Sequence, residues 1–270
     1  MSPVDRPPRR KRFGQHFVHD PAILDRIVAA LDPQPADRLV EIGPGQGALT
    51  RLLTNRAASL DAIEIDRDLA ALIDSNLGHP EGFTLHEADA LEFDFAALAK
   101  ARGGRLRIVG NLPYNISTPL LFHLLDYAPN IEDMHIMLQR EVAERIAAGP
   151  GDSAYGRLSI MLAPWVSVEW LLDVGPGAFQ PPPRVWSAVI RLDVRPQPSF
   201  PVSPHFAQVV STAFAHRRKT LRNGLRELIS LEQIQACGVD PGARPETLPP
   251  EAFNALAATL DALPAEPDLS

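Results

Sequence analysis

Arg38-Leu39-Val40-Glu41-Ile42-Gly43-Pro44-Gly45-Gln46-Gly47-Ala48 reads as a short apolar strand, a glycine-rich turn and the start of a helix near 47–55. Glycines at such a turn let the backbone bend tightly and approach a ligand closely. The helix behind them presents unpaired amides. On the N-terminal side, Asp20-Pro21 gives a cap and a first-turn proline, and Ile23, Leu24, Ile27 and Leu31 then follow at helical spacing. On the C-terminal side, strands are expected over 60–65, 83–86, 106–110 and 133–138, with helices over 68–77 and 118–125. Segments 166–174 and 188–194 read as two more strands joined by a proline-rich loop. Strands alternating with helices predict an α/β fold with a mostly parallel, doubly wound sheet, and a ligand at the carboxyl ends of its strands.

Past 195 the strand pattern stops. Segments 204–216, 217–229, 231–237 and 249–262 read as helices. The expected organisation is a basic arm over 1–19, an α/β domain over 20–195, a proline-rich linker over 196–203 and a small all-helical domain over 204–270.

Bulk properties exclude several classes. The chain has 270 residues, 45% hydrophobic and 22% charged, which is neither a disordered nor a coiled-coil composition. A single cysteine, Cys237, excludes a disulfide framework and a multi-thiolate zinc site. His16, His19 and Asp20 lie close in sequence, but no further ligands stand at zinc spacing, so no metal is expected. No apolar run reaches about 18 residues, and the basic N-terminus is not followed by the apolar stretch of a signal peptide; a cytoplasmic protein without membrane contact is expected. The net charge of −7 is uneven: residues 1–12 carry +4, residues 217–226 carry +5 and the remainder −16. An acidic body with two basic patches predicts a polyanion met at chosen places, through Arg10, Lys11 and Arg12 and through Arg217, Arg218, Lys219 and Arg222. Arg218, Arg222 and Arg226 recur every four residues, which places them on one face of the expected helix.

Gly43, Gly45 and Ala48 also satisfy a dinucleotide-type pattern, so the turn by itself does not separate a nicotinamide dinucleotide from S-adenosylmethionine. Glu64, 21 residues after Gly43, can accept hydrogen bonds from both hydroxyls of a ribose. Two further features favour S-adenosylmethionine. Glu41, just before the glycines, can meet an ammonium group, and in Asp89-Ala90, after the strand at 83–86, the carboxylate can accept from an adenine amino group. Asp66 reads as the cap of the helix that follows it.

Asn111-Leu112-Pro113-Tyr114 decides the chemistry. An exocyclic adenine amine is a poor nucleophile because its lone pair is delocalised into the ring. Two acceptors, the Asn111 side-chain oxygen and the Leu112 carbonyl, can hold its two N–H groups out of plane. Pro113 restricts the orientation of that carbonyl, and Tyr114 can stack on the base. No strong base is required, and catalysis is mainly positioning.

These motifs and others in order along nearly the whole chain resemble the ribosomal RNA adenine N6,N6-dimethyltransferase family. They include Arg12-Phe13-Gly14-Gln15-His16-Phe17, Glu41-Ile42-Gly43-Pro44-Gly45, Gly110-Asn111-Leu112-Pro113-Tyr114-Asn115, Tyr155-Gly156-Arg157-Leu158-Ser159, Phe179-Gln180-Pro181-Pro182-Pro183 and Phe214-Ala215-His216-Arg217-Arg218-Lys219. The resemblance implies a Rossmann-like S-adenosylmethionine-dependent methyltransferase fold. It implies dimethylation of two adjacent adenines in the 3′-terminal hairpin loop of 16S ribosomal RNA, on the immature small subunit, by a monomer with a role in subunit biogenesis. His16, Val18, Gly43, Glu64, Asp89 and Asn111 match the family's cofactor site. Asn111, Leu112, Tyr114 and Phe179 match its base site, with the two aromatics on the faces of the base. Three positions depart: His16 stands where asparagine is usual, Val18 where leucine is usual, and Trp186 where aspartate is common. A DNA adenine methyltransferase and a ribosome-assembly factor acting mainly by binding are the competing classes.

Overall fold

In the computed structural model, which describes residues 16–78, 80–215 and 218–261, the chain divides into one unit of 1–143 with 167–197 and another of 144–166 with 198–270. The elements run β1 (Phe17–Val18), α1 (Pro21–Leu31), β2 (Arg38–Ile42), α2 (Ala48–Leu53), β3 (Ser59–Glu64), α3 (Arg67–Leu77), β4 (Phe83–Glu87), α4 (Phe95–Arg102), β5 (Leu106–Asn111) and α5 (Ser117–Asp126). They continue with β6 (Ile131–Gln139), α6 (Arg140–Ala147), α7 (Arg157–Leu162), β7 (Val166–Val174), β8 (Phe179–Gln180) and β9 (Ser187–Val194). The last four are α8 (Phe206–Ala215), α9 (Leu221–Gly224), α10 (Leu231–Ala236) and α11 (Pro250–Asp261).

The first unit is an α/β fold around a seven-stranded sheet of order β4-β3-β2-β5-β6-β9-β7. β4, β3, β2, β5 and β6 are mutually parallel, and β9 runs antiparallel to β6. Parallel strands are covered on both faces, which is why β2, β3 and β5 are apolar runs rather than alternating ones. Leu39, Val40, Ile42, Ile63, Ile108 and Val109 are all buried. α1 and α3 start where the sequence caps them: Asp20 accepts from the Ala22 N–H at 2.9 Å and Asp66 from the Asp68 N–H at 3.0 Å.

Arg107 and Asp61, two charges set into this sheet, are paired. Arg107 on β5 binds Asp133 on β6 (Nη2 to Oδ2, 3.0 Å), Asp37 and the Leu31 carbonyl, tying the sheet to the end of α1. Burial alone would raise the Asp61 carboxyl, but hydrogen bonds with His86 and Arg102 hold it below the usual carboxylate range. Removing one partner from a buried pair of this kind leaves an uncompensated charge.

The strand order reverses between β2 and β5. The loops leaving these two strands therefore diverge and open a crevice at the carboxyl edge of the sheet. β5 passes close to β2 just below it: a Cβ on Gly110 would stand 2.5 Å from the Ile42 carbonyl oxygen, so only glycine fits.

The second unit is helical, and no strand lies wholly within it among the described residues. Its core gathers Tyr155 and Ile160 with Phe206, Val209, Val210, Leu221, Leu225, Ile229, Phe253 and Leu256. The boundary therefore differs from the expected one. Residues 144–166 belong to the helical unit because Tyr155 and Ile160 enter its core. The expected linker also joins it: Phe200 and Val202 pack on that core, and the Ser199 N–H donates to the Pro164 carbonyl at 2.9 Å. The expected helix over 217–229 is corrected as well. Only Leu221–Gly224 is helical, preceded by Thr220 in extended conformation. Arg218 lies before this turn and Arg226 after it, so the three arginines do not share a helical face. Among the described residues, no helix is long and apolar enough to cross a membrane.

Candidate active site

A cleft of about 270 Å³ opens at the crevice between the ends of β2 and β5. Its floor is the turn after β2, where Gly43 and Gly45 adopt φ of +66° and +58°. The pairing of β1 with β8 (Phe17 with Gln180, Val18 with Phe179) lays residues 16–18 across this turn. Phe17 packs so closely that a Cβ on Gly45 would stand 2.6 Å from its ring.

Glu64, at the end of β3, is buried beside the turn. Its Oε2 accepts from the Gly45 N–H at 3.2 Å and its Oε1 from the Asp66 N–H at 2.9 Å. These bonds fix the carboxylate, and each oxygen retains acceptor capacity toward the cleft. Burial raises the Glu64 carboxyl, and the two backbone N–H groups oppose this. Asp89, after β4, accepts from the Leu91 N–H at 2.9 Å and lines the same cleft, with Ala90 and Leu91 beside it.

Asn111 is the last residue of β5. Its Nδ2 donates to the His16 carbonyl at 2.7 Å. That bond occupies the donor end of the amide and leaves Oδ1 as the end available to a substrate. Next to it, the Leu112 N–H donates to the Met137 carbonyl at 3.1 Å and the Ile116 N–H to the Pro113 carbonyl at 3.1 Å, which locks the turn. The Tyr114 hydroxyl is 2.7 Å from Ser187 Oγ on β9, which restrains the ring. His16 Nδ1 is 2.8 Å from the Pro181 carbonyl, so it donates there, and its ring centroid lies 5.7 Å from that of Tyr114.

The structure thus gathers His16, Gly43, Gly45, Glu64, Asp89, Ala90, Asn111, Leu112, Pro113 and Tyr114 around one cleft. Three expected residues are placed differently. Val18 and Glu41 line a second, smaller cavity of about 50 Å³ that shares Phe17, Gly43 and Asn111 with the cleft. Phe179 is buried in the first unit's core with Ile27, Val28 and Leu172, and is not among the cleft-lining residues. It has too little open surface here to receive a base. Arg10, Lys11, Arg12 and Arg217 lie outside the described residues, whereas Arg218, Lys219 and Arg222 are exposed on the helical unit. Sequence reading missed Ile65 and Ile116 as apolar walls of the cleft, and Ser187 as the tether of Tyr114. The adjacency of Ile65 to Glu64 was an available signal; the Ser187 contact, 73 residues away in sequence, had none.

The lining residues fit S-adenosylmethionine. Two carboxylates line the cleft, and no lysine or arginine stands among its described lining residues, so it suits a cationic ligand better than it suits a pyrophosphate, to which it offers no cationic side chain. Glu64 has acceptors for a ribose, Asp89 has one for an amino group, and Ile65, Ala90 and Leu91 provide an apolar wall.

Glu41 carries a pH prediction. Burial pushes its carboxyl up to about 7; the nearby Thr50 hydroxyl offsets part of this without a well-formed hydrogen bond, and the Glu64 charge adds to it. Below about pH 4.5 Glu41 is protonated in both the folded and unfolded chain and contributes nothing. Between about 4.5 and 7 only the folded chain keeps the proton, so stability falls as pH rises, by about 3 kcal/mol at most. Glu41→Gln is expected to stabilise the ligand-free protein at pH 8 by about 1–3 kcal/mol and to leave it unchanged at pH 4.5. Chemical denaturation at both pH values reads this; an equal effect at both excludes a buried charge at Glu41.

Comparison with known proteins agrees with this geometry. The family model described as ribosomal RNA adenine dimethylase matches residues 8–262. "Ribosomal RNA small subunit methyltransferase A" from Pseudomonas aeruginosa is 54% identical over 257 residues, covering 94% of this chain and 96% of that protein. The protein of the same name from Thiobacillus denitrificans is 54% identical over 253 residues, covering 93% and 97%. Among solved structures, a dimethyladenosine transferase from Plasmodium falciparum aligns with a TM-score of 0.76 and 25% identity over 91% of this chain and 98% of its own. The 23S rRNA methyltransferase ErmE aligns with a TM-score of 0.71 and 27% identity over 91% and 99%.

Proposed function

The chain belongs to the ribosomal RNA adenine dimethylase family, and from that membership we propose that its substrate is the pair of adjacent adenines in the 3′-terminal hairpin loop of 16S ribosomal RNA, met on the immature small subunit by a cytoplasmic monomer. The enzyme is an S-adenosylmethionine-dependent dimethyltransferase acting on adenine N6 of ribosomal RNA. The observation that carries the reading is the hydrogen bond from Asn111 Nδ2 to the His16 carbonyl at the wall of the cleft, which leaves the amide oxygen as the acceptor for a substrate amine.

When bound, the cofactor supplies an electrophilic methyl group on a sulfonium. The chain's residues do the rest by positioning. Glu64 accepts from the ribose hydroxyls, Asp89 from the adenine amino group, and the Gly43–Gly45 turn and His16 flank the remainder. Asn111 Oδ1 and the Leu112 carbonyl accept the two N6–H groups of the target, which turns the nitrogen lone pair out of conjugation. Tyr114, held by Ser187, covers the base, and this reading does not need Phe179. Holding two reacting groups in attack geometry supplies most of the rate.

RNA contact is assigned to Arg218, Lys219 and Arg222, three exposed cations within five residues. Arg218→Glu combined with Arg222→Glu is expected to weaken small-subunit binding about tenfold or more at 0.1 M salt and to flatten the salt dependence by roughly 1.5 in log–log slope. Binding titrations at several salt concentrations measure this. Unchanged affinity moves the RNA face elsewhere. For the function itself, label from S-adenosylmethionine is expected to enter undermethylated small subunits and not duplex DNA, where the base would first have to be flipped out of the stack. Label on DNA alone overturns the substrate.

A further inference from the structure

Among the described residues three large apolar side chains are exposed: Ile65, Val185 and Trp186, at 45%, 44% and 52%. Isolated exposed apolar residues need no explanation. These are not isolated. Ile65 lines the cleft. Val185 and Trp186 are consecutive and run directly into Ser187, which holds the Tyr114 hydroxyl at 2.7 Å. Trp186 is therefore the sequence neighbour of the residue that restrains Tyr114 in the cleft.

Trp186 is also held in place. Its carbonyl accepts from the Arg140 N–H at 2.9 Å, fixing the loop to the end of β6. Its indole lies over Gly175, where an added Cβ would meet the ring at 3.5 Å. One part of the ring thus rests on backbone while half of the side chain is open to solvent. Exposed Arg184 stands two residues before it in sequence. A fixed, half-open indole is a surface on which unpaired RNA bases stack. Side chains alternate along an extended segment, so the indole projects to the opposite side from Ser187 and cannot share the target base with Tyr114. The indole offers a second platform, joined to the first through Ser187.

We infer that Trp186 stacks on an unpaired nucleotide flanking the target adenine and so selects a base presented in a single-stranded loop. The inference rests on the reading of the substrate as ribosomal RNA given above. Its occupant is RNA; a ribosomal protein or a second copy of the chain is an outcome that counts against it.

The test compares wild type, Trp186→Ala and Trp186→Phe on undermethylated small subunits and on the protein-free RNA hairpin, with S-adenosylmethionine affinity and thermal stability measured alongside. Trp186→Ala is expected to raise KM on subunits about 5- to 100-fold and to weaken binding of the hairpin by a similar factor, the range of one base–aromatic stack, with kcat, cofactor affinity and melting temperature little changed. Trp186→Phe is expected to restore most of the loss. In a chain with Trp165→Phe and Trp170→Phe, Trp186 is the only tryptophan, and its emission is expected to fall when the hairpin is added. An unchanged KM in Trp186→Ala overturns the inference. So does a loss that phenylalanine does not rescue, a loss seen on subunits but not on the hairpin, or unquenched emission while methylation proceeds. Failure of the wild type to methylate either RNA would instead defeat the substrate reading, and this inference with it.

Discussion

Asn111→Ala is expected to lower kcat for methyl transfer by about 10²–10³-fold, the cost of losing one fixed polar partner of the reacting group. The acceptor role follows from the amide's donor end being engaged by the His16 carbonyl at 2.7 Å, which leaves Oδ1 for the target amine. Without Oδ1, one N6–H has no partner and the nitrogen lone pair relaxes into the ring. Cofactor affinity should change less, by about tenfold at most, because Glu64 and Asp89 remain. The variant also loses the link to residue 16, so its melting temperature is the control for folding. Single-turnover kinetics with saturating cofactor separates the two effects, and near wild-type turnover removes Asn111 from the mechanism.

Glu64→Ala is expected to weaken S-adenosylmethionine binding by about 10²-fold or more. Two hydrogen bonds to a charged acceptor contribute about 1.5–3 kcal/mol each. The substitution also leaves the Gly45 and Asp66 N–H groups without their partner, so the turn itself loosens and the melting temperature falls. Glu64→Gln distinguishes binding from folding: it keeps the shape and one acceptor, and is expected to cost about tenfold in affinity with a smaller loss of stability. Calorimetric titration of the three proteins decides it; an unchanged dissociation constant in Glu64→Ala places the ribose elsewhere.

The catalytic unit was legible where its signals are local. The β2 segment lies at 38–42 as expected, Glu64 ends β3 and Asp89 follows β4 as expected, and Asn111, expected just after a strand at 106–110, is the last residue of β5. What was not legible is non-local. The β1–β8 pairing joins residues more than 160 positions apart, and no short-range pattern announces a two-residue strand. Phe179 sits among prolines, which reads as an open loop, yet apolar neighbours from α1 and β7 bury it. Residues 217–229 show Leu221, Leu225 and Ile229 at helical spacing, and all three are buried; a single helical turn followed by a bend buries them as well as a full helix would, and the basic face inferred from that helix does not form. The division between the units escaped for a similar reason. The segment around Tyr155 and Ile160 lies in sequence between strands of the sheet, but its apolar side chains match the helical core.

Mass spectrometry of 16S ribosomal RNA from undermethylated small subunits treated with the enzyme and S-adenosylmethionine tests the central claim most directly. The proposed substrate, a pair of adjacent adenines met by an enzyme of the ribosomal RNA adenine dimethylase family, predicts close to two N6,N6-dimethyladenosines per particle, adjacent in the 3′-terminal hairpin loop. Subunits that carry no dimethyladenosine, while the same enzyme binds S-adenosylmethionine, would contradict it.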